Sequence, residues 1–335
     1  MATVPNGPFA LEVRNLTVEF PSRQGWRRVV DDVSFAIPTG QVTGLVGESG
    51  SGKSVTAMAV IGLLGHRGGR VAQGSVLLDG VDLLACGERE LREIRGARIG
   101  TVFQHAARGL NPSIAVGEQI AEVARRHLGL ARRVAHDRAV EVLEGVGIRE
   151  PAQVAGRYPH QLSGGMCQRV MIAMALVCEP RLLIADEPTT ALDVRVQERI
   201  LALLRDVHQA SGVSVLFISH DLPVVGEISD RVAVMYAGQI VEEASVGDVF
   251  ASPRHPYTAG LLATMPVGRR RRFTAIPGSI PDPGSWPEGC RFAPRCALRD
   301  PATCDSPQPI QLDAGGARSV RCGRAVEALG AVAAR

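Results

Sequence analysis

The chain has 335 residues, a net charge of +3, 45% hydrophobic and only 4% aromatic side chains. That length exceeds what one core usually serves, so one large α/β domain with a smaller appendage is expected. The slight positive charge argues against a nucleic-acid ligand, and the scarcity of aromatics against a base-stacking platform. No apolar run approaches the roughly 20 residues that cross a bilayer; Val170 to Val177 is among the longest. Met1 to Asn6 lacks the charged and apolar regions of a secretory signal. A cytosolic setting follows, where clustered cysteines hold metal more often than they form disulfides.

In chain order, residues 9 to 37 alternate in strand fashion through Leu11-Glu12-Val13, Thr17-Val18-Glu19-Phe20 and Val33-Ser34-Phe35-Ala36-Ile37, which predicts an antiparallel β layer. After the turn Pro38-Thr39-Gly40, Val42 to Val46 reads as a buried strand, and Ser54 to Leu64 as a helix. Arg98 to Phe103 is a second buried strand; Val116 to about Arg149 turns helical and charged, an all-α insert. A helix through Val170 to Val177 leads to the short strand Leu182 to Ala185, an amphipathic helix from Val194 to Gln209, and a core strand from Val213 to Ile218. Strands alternating with helices predict a parallel sheet with crossovers. A hairpin from Val232 to Glu242 turns at Ala237-Gly238, and beyond Ser252 the composition shifts to Pro, Gly, Arg and four of the seven cysteines.

Between the first buried strand and its helix stands Gly47-Glu48-Ser49-Gly50-Ser51-Gly52-Lys53-Ser54, which fits the phosphate-binding pattern G-x-x-x-x-G-K-[ST]. Lys53 is the single lysine among 37 basic residues. A planar guanidinium does not fold into a tight glycine loop, whereas an ammonium on a slim stem acts there as a point charge. The helix N-terminus that follows favours phosphate. A strand ending in Asp186-Glu187 supplies a carboxylate for Mg²⁺, with Ser54 as a direct ligand, and a second carboxylate to orient or deprotonate water. The same pair also suits an acidic helix start. Leu162-Ser163-Gly164-Gly165 opens a further helix, an anion site or an ordinary N-cap.

The order of these motifs resembles the ATP-binding cassette (ABC) ATPases, over residues 9 to about 250. The resemblance makes Leu162 to Gly165 the signature that closes over the γ-phosphate held by another subunit. It makes Phe20 the adenine-stacking aromatic and Gly47 to Val55 the ATP-binding loop. Gln104 becomes a Mg²⁺- and water-contacting glutamine, Glu187 the catalytic glutamate, and His220 the switch histidine. Ala191-Leu192-Asp193 becomes the loop that bridges subunits, with Asp193 on the dimer seam. Phe103-Gln104-His105 to Gly109-Leu110-Asn111-Pro112, Met171 to Leu176, and His255-Pro256-Tyr257-Thr258 to Leu261-Leu262 are similar to the oligopeptide/dipeptide importer branch. Cys167 departs from the arginine usual in that branch, at a position facing the seam.

Cys290, Cys296, Cys304 and Cys322 fit neither the close pairs of zinc fingers nor ferredoxin spacing. Four thiols in a loop-rich segment point to a metal staple. The tail resembles the C-terminal extension of peptide-importer ATPases, which implies a [4Fe–4S] cluster, with zinc or free thiols as the alternatives. Cys86 and Cys178 are expected to be buried, and Arg269 to Arg272 a solvated linker. The expected architecture is a P-loop α/β core with an N-terminal antiparallel layer over residues 9–252, a helical insert at about 105–163, and a Cys-rich extension over 253–335.

The resemblance implies an ATPase, using ATP and Mg²⁺, that powers peptide import from the cytoplasmic face of a membrane. Its implied partners are a second cassette, identical or homologous, two permease subunits, and indirectly an extracytoplasmic solute-binding protein. Nickel or glutathione import is the alternative within the branch. A soluble ABC ATPase acting on nucleic acid or ribosomes is disfavoured, since neither a second cassette nor a long coiled-coil insertion is present. A non-hydrolysing regulatory subunit is disfavoured by Glu187 and His220.

Overall fold

The computed structural model describes residues 7–104, 106–190, 192–264, 276–306, 313–315 and 318–324. The arginine run 269–272, Ala191 and His105 lie outside them.

The elements are β1 (Phe9–Ser22), β2 (Gly25–Pro38), β3 (Val42–Val46), α1 (Lys53–Val60), β4 (Arg70–Leu78), β5 (Val81–Asp82), α2 (Glu88–Ile94) and β6 (Ile99–Val102). There follow α3 (Ala106–Gly109), α4 (Val116–Leu128), α5 (Arg132–Gly145), α6 (Pro151–Ala155), α7 (Gly164–Leu176), β7 (Leu182–Asp186), α8 (Val194–Ser211) and β8 (Ser214–Ser219). The last are α9 (Leu222–Ile228), β9 (Arg231–Tyr236), β10 (Gln239–Ser245), α10 (Val246–Ala251), α11 (Pro256–Ala263), α12 (Pro301–Cys304), β11 (Asp313–Gly315) and β12 (Arg318–Val320).

These elements group into two compact units, the first comprising residues up to 11, 37–42 and 77–218. Its sheet is parallel: β6 pairs with β7 (Ile99↔Leu182) and β7 with β8 (Leu183↔Val215). The apolar runs Leu182 to Ala185 and Val215 to Ile218 are fully buried, as strands covered on both faces must be. The predicted insert is present as α4, α5 and α6. Ala121, Ala124, Ala135, Ala139 and Leu143 are buried in α4 and α5. Asp79 ties the unit together by accepting from Arg98 (2.9 Å) and Arg181 (3.0 Å). Helix α8 buries Ile200, Leu201, Leu203 and Leu204, and ends at Gly212 in the left-handed conformation (φ 66).

The second unit comprises residues 12–36, 43–76 and 219–335. Strand β3 runs parallel to β9 (Leu45↔Ala233), β9 turns back into β10, and β12 adds to β10 antiparallel (Glu242↔Val320). Ala237 (φ 44) and Gly238 (φ 82) form the expected hairpin turn, both left-handed as a two-residue I′ turn requires. The predicted N-terminal layer is present, with β2, β1 and β4 side by side. Helix α1 stops at Val60, four residues short of the predicted end, because Gly62 takes a left-handed conformation (φ 66). The carboxylate of Glu242 is fully buried and accepts from the Arg254 N–H (2.8 Å), the His255 N–H (2.9 Å) and Arg318 (2.8 Å). It thereby fastens β12 and the start of α11 to β10. Among the described residues no helix is long and apolar enough to cross a membrane.

Candidate functional site: a phosphate loop and a hydrolytic carboxylate

In the second unit the loop from Gly47 to Gly52 joins β3 to α1. A side chain at Gly47 would collide with the Met235 carbonyl, so only glycine fits there. Gly52 caps α1 at φ 109, a conformation that a Cβ disfavours. Ser49 and Gly50 are exposed, Ser51 is buried, and Ser54 and Val55 are half-buried at the start of α1. Lys53 is only 4% exposed, and its Nζ donates to the carbonyls of Gly47 (2.7 Å) and Glu48 (3.0 Å). The ammonium is thus folded back over its own loop, as a compact cation allows.

Phe20 lies in the same unit, half-buried, with its ring packed where a Cβ on Gly69 would stand (2.8 Å). His220 follows the last residue of β8 and is exposed.

In the first unit, β7 delivers Asp186 and then Glu187. Glu187 is left-handed (φ 47), a conformation costing a non-glycine residue about 1–2 kcal/mol. Its N–H donates to Ile218 O (2.9 Å), which holds that turn at the end of β8. Two side chains donate to the same oxygen of Glu187: Gln104 Nε2 at 2.9 Å and Thr190 Oγ1 at 2.8 Å. The bend after β6 supplies Gln104, and the turn after β7 supplies Thr190. A carboxylate gripped in this way has a fixed direction, the requirement for a base that orients water.

The signature segment caps α7: Ser163 Oγ accepts the Met166 N–H (3.3 Å), with Ser163 and Gly164 exposed and Leu162 half-buried. A Cβ on Gly165 would lie 2.9 Å from Val196, so glycine lets α7 approach the start of α8. Asp193 caps α8 by accepting the Val196 N–H (3.0 Å) and is exposed.

Two expectations need correction. Cys167 is buried, its thiol directed at Pro159 O (3.5 Å), so it sits under the 3-10 turn Pro159–Gln161. Cys86 and Cys178 are half-buried rather than buried. Among the described residues no group of three or more His, Cys, Asp or Glu stands close enough together to hold a metal ion. Burial instead pushes the thiols of Cys290, to about 11, and of Cys296 and Cys322 upward, which favours the protonated form.

Sequence reading assigned no role to Arg295, Arg291 or Thr190. Arg295 Nη1 contacts both carboxylate oxygens of Glu48 (3.1 Å each), and Tyr257 Oη accepts the Glu48 N–H (2.9 Å). Contacts spanning 247 and 209 residues leave no local pattern to read.

A phosphate loop, a strand-end carboxylate pair and a Ser-Gly-Gly helix cap define a P-loop nucleotide-hydrolysing protein of the cassette type. Residues 30–190 match the ABC transporter family, and residues 241–304 match the oligopeptide/dipeptide transporter C-terminal region. The chain is 48% identical to the oligopeptide transport ATP-binding protein AppD of Bacillus subtilis, over 93% of this chain and 95% of that one. It is 49% identical to a putative peptide import ATP-binding protein of Brucella abortus, over 93% of this chain and 94% of that one. Among solved structures, the cassette MJ0796, in a dimeric post-hydrolysis state bound to ADP and Pi, superposes with a TM-score of 0.63 at 28% identity, covering 70% of this chain and 98% of that one. The cbiO1 subunit of Clostridium perfringens gives a TM-score of 0.63 at 28% identity, covering 73% and 92%. The chain belongs to the ABC transporter ATPases.

Proposed function

We propose that this chain powers the import of di- and oligopeptides through a membrane permease, with ATP-driven closure of two cassettes as the working stroke. The observation that carries the substrate class is the pairing of an ABC transporter match with an oligopeptide/dipeptide transporter C-terminal match, together with relatives bearing oligopeptide and peptide import names across 93% of the chain. In this reading residues 9–252 are the cassette and 253–335 the extension. The partners are a second cassette, identical or homologous, and two permease subunits at the cytoplasmic face, with an extracytoplasmic binding protein delivering solute.

Phe20 would stack on adenine, and the loop from Gly47 to Val55 would cradle the phosphates. Lys53 would leave the Gly47 and Glu48 carbonyls to meet the β- and γ-phosphates. Ser54, Gln104 and Asp186 would hold Mg²⁺, which supplies charge neutralisation on those phosphates. Glu187, aimed by Gln104 and Thr190, orients the attacking water, and His220 contacts the γ-phosphate. The Leu162 to Gly165 segment, with Ser163 and Gly164 exposed, and Asp193 would close on the nucleotide of the partner cassette.

The test is peptide uptake by proteoliposomes holding the permeases, the partner cassette and this chain. Labelled di- and oligopeptides are expected to accumulate with ATP, and to stop doing so with Glu187→Gln. Accumulation of nickel or glutathione instead of peptide would refute the substrate class. Nucleic-acid- or ribosome-dependent turnover without permeases would refute transport altogether.

For the tail, we propose a [4Fe–4S] cluster in preference to zinc. One zinc ion needs three or four ligands at about 2.0–2.3 Å from a common centre, which the described side chains do not offer. The four cysteine segments nonetheless converge: the Cys290 N–H donates to Cys304 O (2.7 Å), Gly323 beside Cys322 packs on Thr303, and Arg324 donates to Leu298 O (3.1 Å), two residues from Cys296. Backbone N–H groups of Phe292, Leu298 and Arg324 face Cys290, Cys296 and Cys322. Anaerobic purification is expected to give a brown protein with iron and acid-labile sulfide; a colourless protein would refute the cluster.

A further inference from the structure

Every backbone and side-chain handle of Glu48 described above is engaged, and two of them reach into residues far along the chain. Its N–H donates to Tyr257 Oη, and both carboxylate oxygens meet Arg295 Nη1. Its carbonyl, with that of Gly47, holds Lys53 Nζ. Glu48 therefore links Lys53 of the phosphate loop to the C-terminal extension.

The far side of that link is itself well anchored. The Arg295 side chain is 6% exposed and donates through Nε to Pro277 O (2.7 Å) and through Nη2 to Ile276 O (3.4 Å). Tyr257 is fully buried, packed on Tyr236 (4.6 Å between ring centroids) and Phe292 (5.4 Å). A second brace reaches the same loop. Arg291, stacked on Trp286 at 3.5 Å and ion-paired with Asp31, donates to Ala237 O (2.6 Å). The neighbouring Gly238 N–H donates to Ser51 O (2.8 Å), and Gly238 O accepts the Asp31 N–H (2.8 Å). Both arginines come from the seven residues Cys290-Arg291-Phe292-Ala293-Pro294-Arg295-Cys296.

We propose that Arg295 and Tyr257 are positioning residues for ATP binding: the extension sets the phosphate loop through Glu48, and so sets how tightly the nucleotide is held. A P-loop binds phosphate through N–H groups whose directions depend on a few backbone angles. An arginine nitrogen shared between both oxygens of Glu48, and a phenol on the N–H of the same residue, restrict those angles before the ligand arrives, and preorganisation of this kind raises affinity. Neither residue belongs to the phosphate loop itself. The effect falls on binding, not on the chemical step.

The test uses the full-length chain, with MgATP affinity measured by calorimetry and turnover measured in the reconstituted complex. The proposal rests on this loop binding ATP; a wild-type chain that bound none would overturn both, whereas variants with wild-type affinity would overturn the role of Arg295 alone. Tyr257→Phe keeps the ring and removes one acceptor, so ATP affinity is expected to fall about fivefold while turnover at saturating ATP stays within about twofold. Arg295→Met is expected to weaken ATP about tenfold, and Arg295→Lys to recover part of the loss. Glu48→Gln added to Arg295→Met is expected to cost little more, because the two act as one contact. Should Arg295→Met fail to fold, Tyr257→Phe decides. Folded variants with a lowered thermal midpoint but wild-type ATP affinity, or losses from Glu48 and Arg295 that simply add, would overturn the proposal.

Discussion

Thr190→Val gives a direct measure of how Glu187 is aimed. The hydroxyl donates to Glu187 Oε2 at 2.8 Å, and Gln104 Nε2 donates to the same atom at 2.9 Å. Valine keeps the shape of threonine and removes one of these donors. A hydrogen bond to a charged group contributes about 1.5–3 kcal/mol. At about 1.36 kcal/mol per tenfold, full loss in the transition state would slow hydrolysis about 10- to 160-fold. Because the Gln104 contact survives, the lower end applies, so kcat is expected to drop about tenfold with KM for ATP within about twofold. Phosphate release at saturating MgATP in the reconstituted complex reads this out, and Thr190→Ser should restore most of the rate. A Thr190→Val enzyme with wild-type kcat, in a system where Glu187→Gln is dead, would show that the Thr190 hydroxyl plays no part in orienting the base.

Gly47→Ala places a methyl against the Met235 carbonyl, so ATP binding should be lost by calorimetry while secondary structure by circular dichroism is retained. Glu242→Ala strands the Arg318 charge and two N–H groups in the interior, and should cost about 3–5 kcal/mol of stability, read by denaturant unfolding. His255 is fully buried, and desolvation lowers its pKa from 6.5 to about 3. A depressed histidine favours folding above its unfolded pKa, and that contribution is lost as pH falls from about 6.5 towards 3, about 2 kcal/mol of it by pH 5. The thermal midpoint should therefore fall more steeply below pH 6.5 in wild type than in His255→Asn, whose amide oxygen can still take the Tyr257 N–H; parallel curves would refute the assignment.

The parts of the fold that were legible are those written in short stretches of chain. Buried parallel strands such as Leu182 to Ala185 are continuous apolar runs, and the hairpin announces itself at Ala237-Gly238. Strand β4 was not foreseen, because Gly74 (φ 105) breaks its alternation where it presses on the backbone of Arg14 and Asn15. The phosphate loop was legible to the residue, since glycine spacing and a lysine are a local requirement. The grip on Glu187 was half-legible: Gln104 stood out at a strand end, whereas Thr190 looks like any turn threonine. Arg295 was invisible because its partner lies 247 positions earlier. Cys167 was misplaced because its burial depends on how the turn at Pro159 folds back over α7, a tertiary event.

The hold of the extension on the phosphate loop has a consequence during synthesis. Glu48 leaves the ribosome long before Tyr257 and Arg295 exist, and β10 waits for Arg318 to Val320 to arrive beside it. A nascent chain carrying a complete glycine loop still lacks the groups that fasten it. The order of synthesis thus delays full fastening of the phosphate loop until Arg295 has emerged.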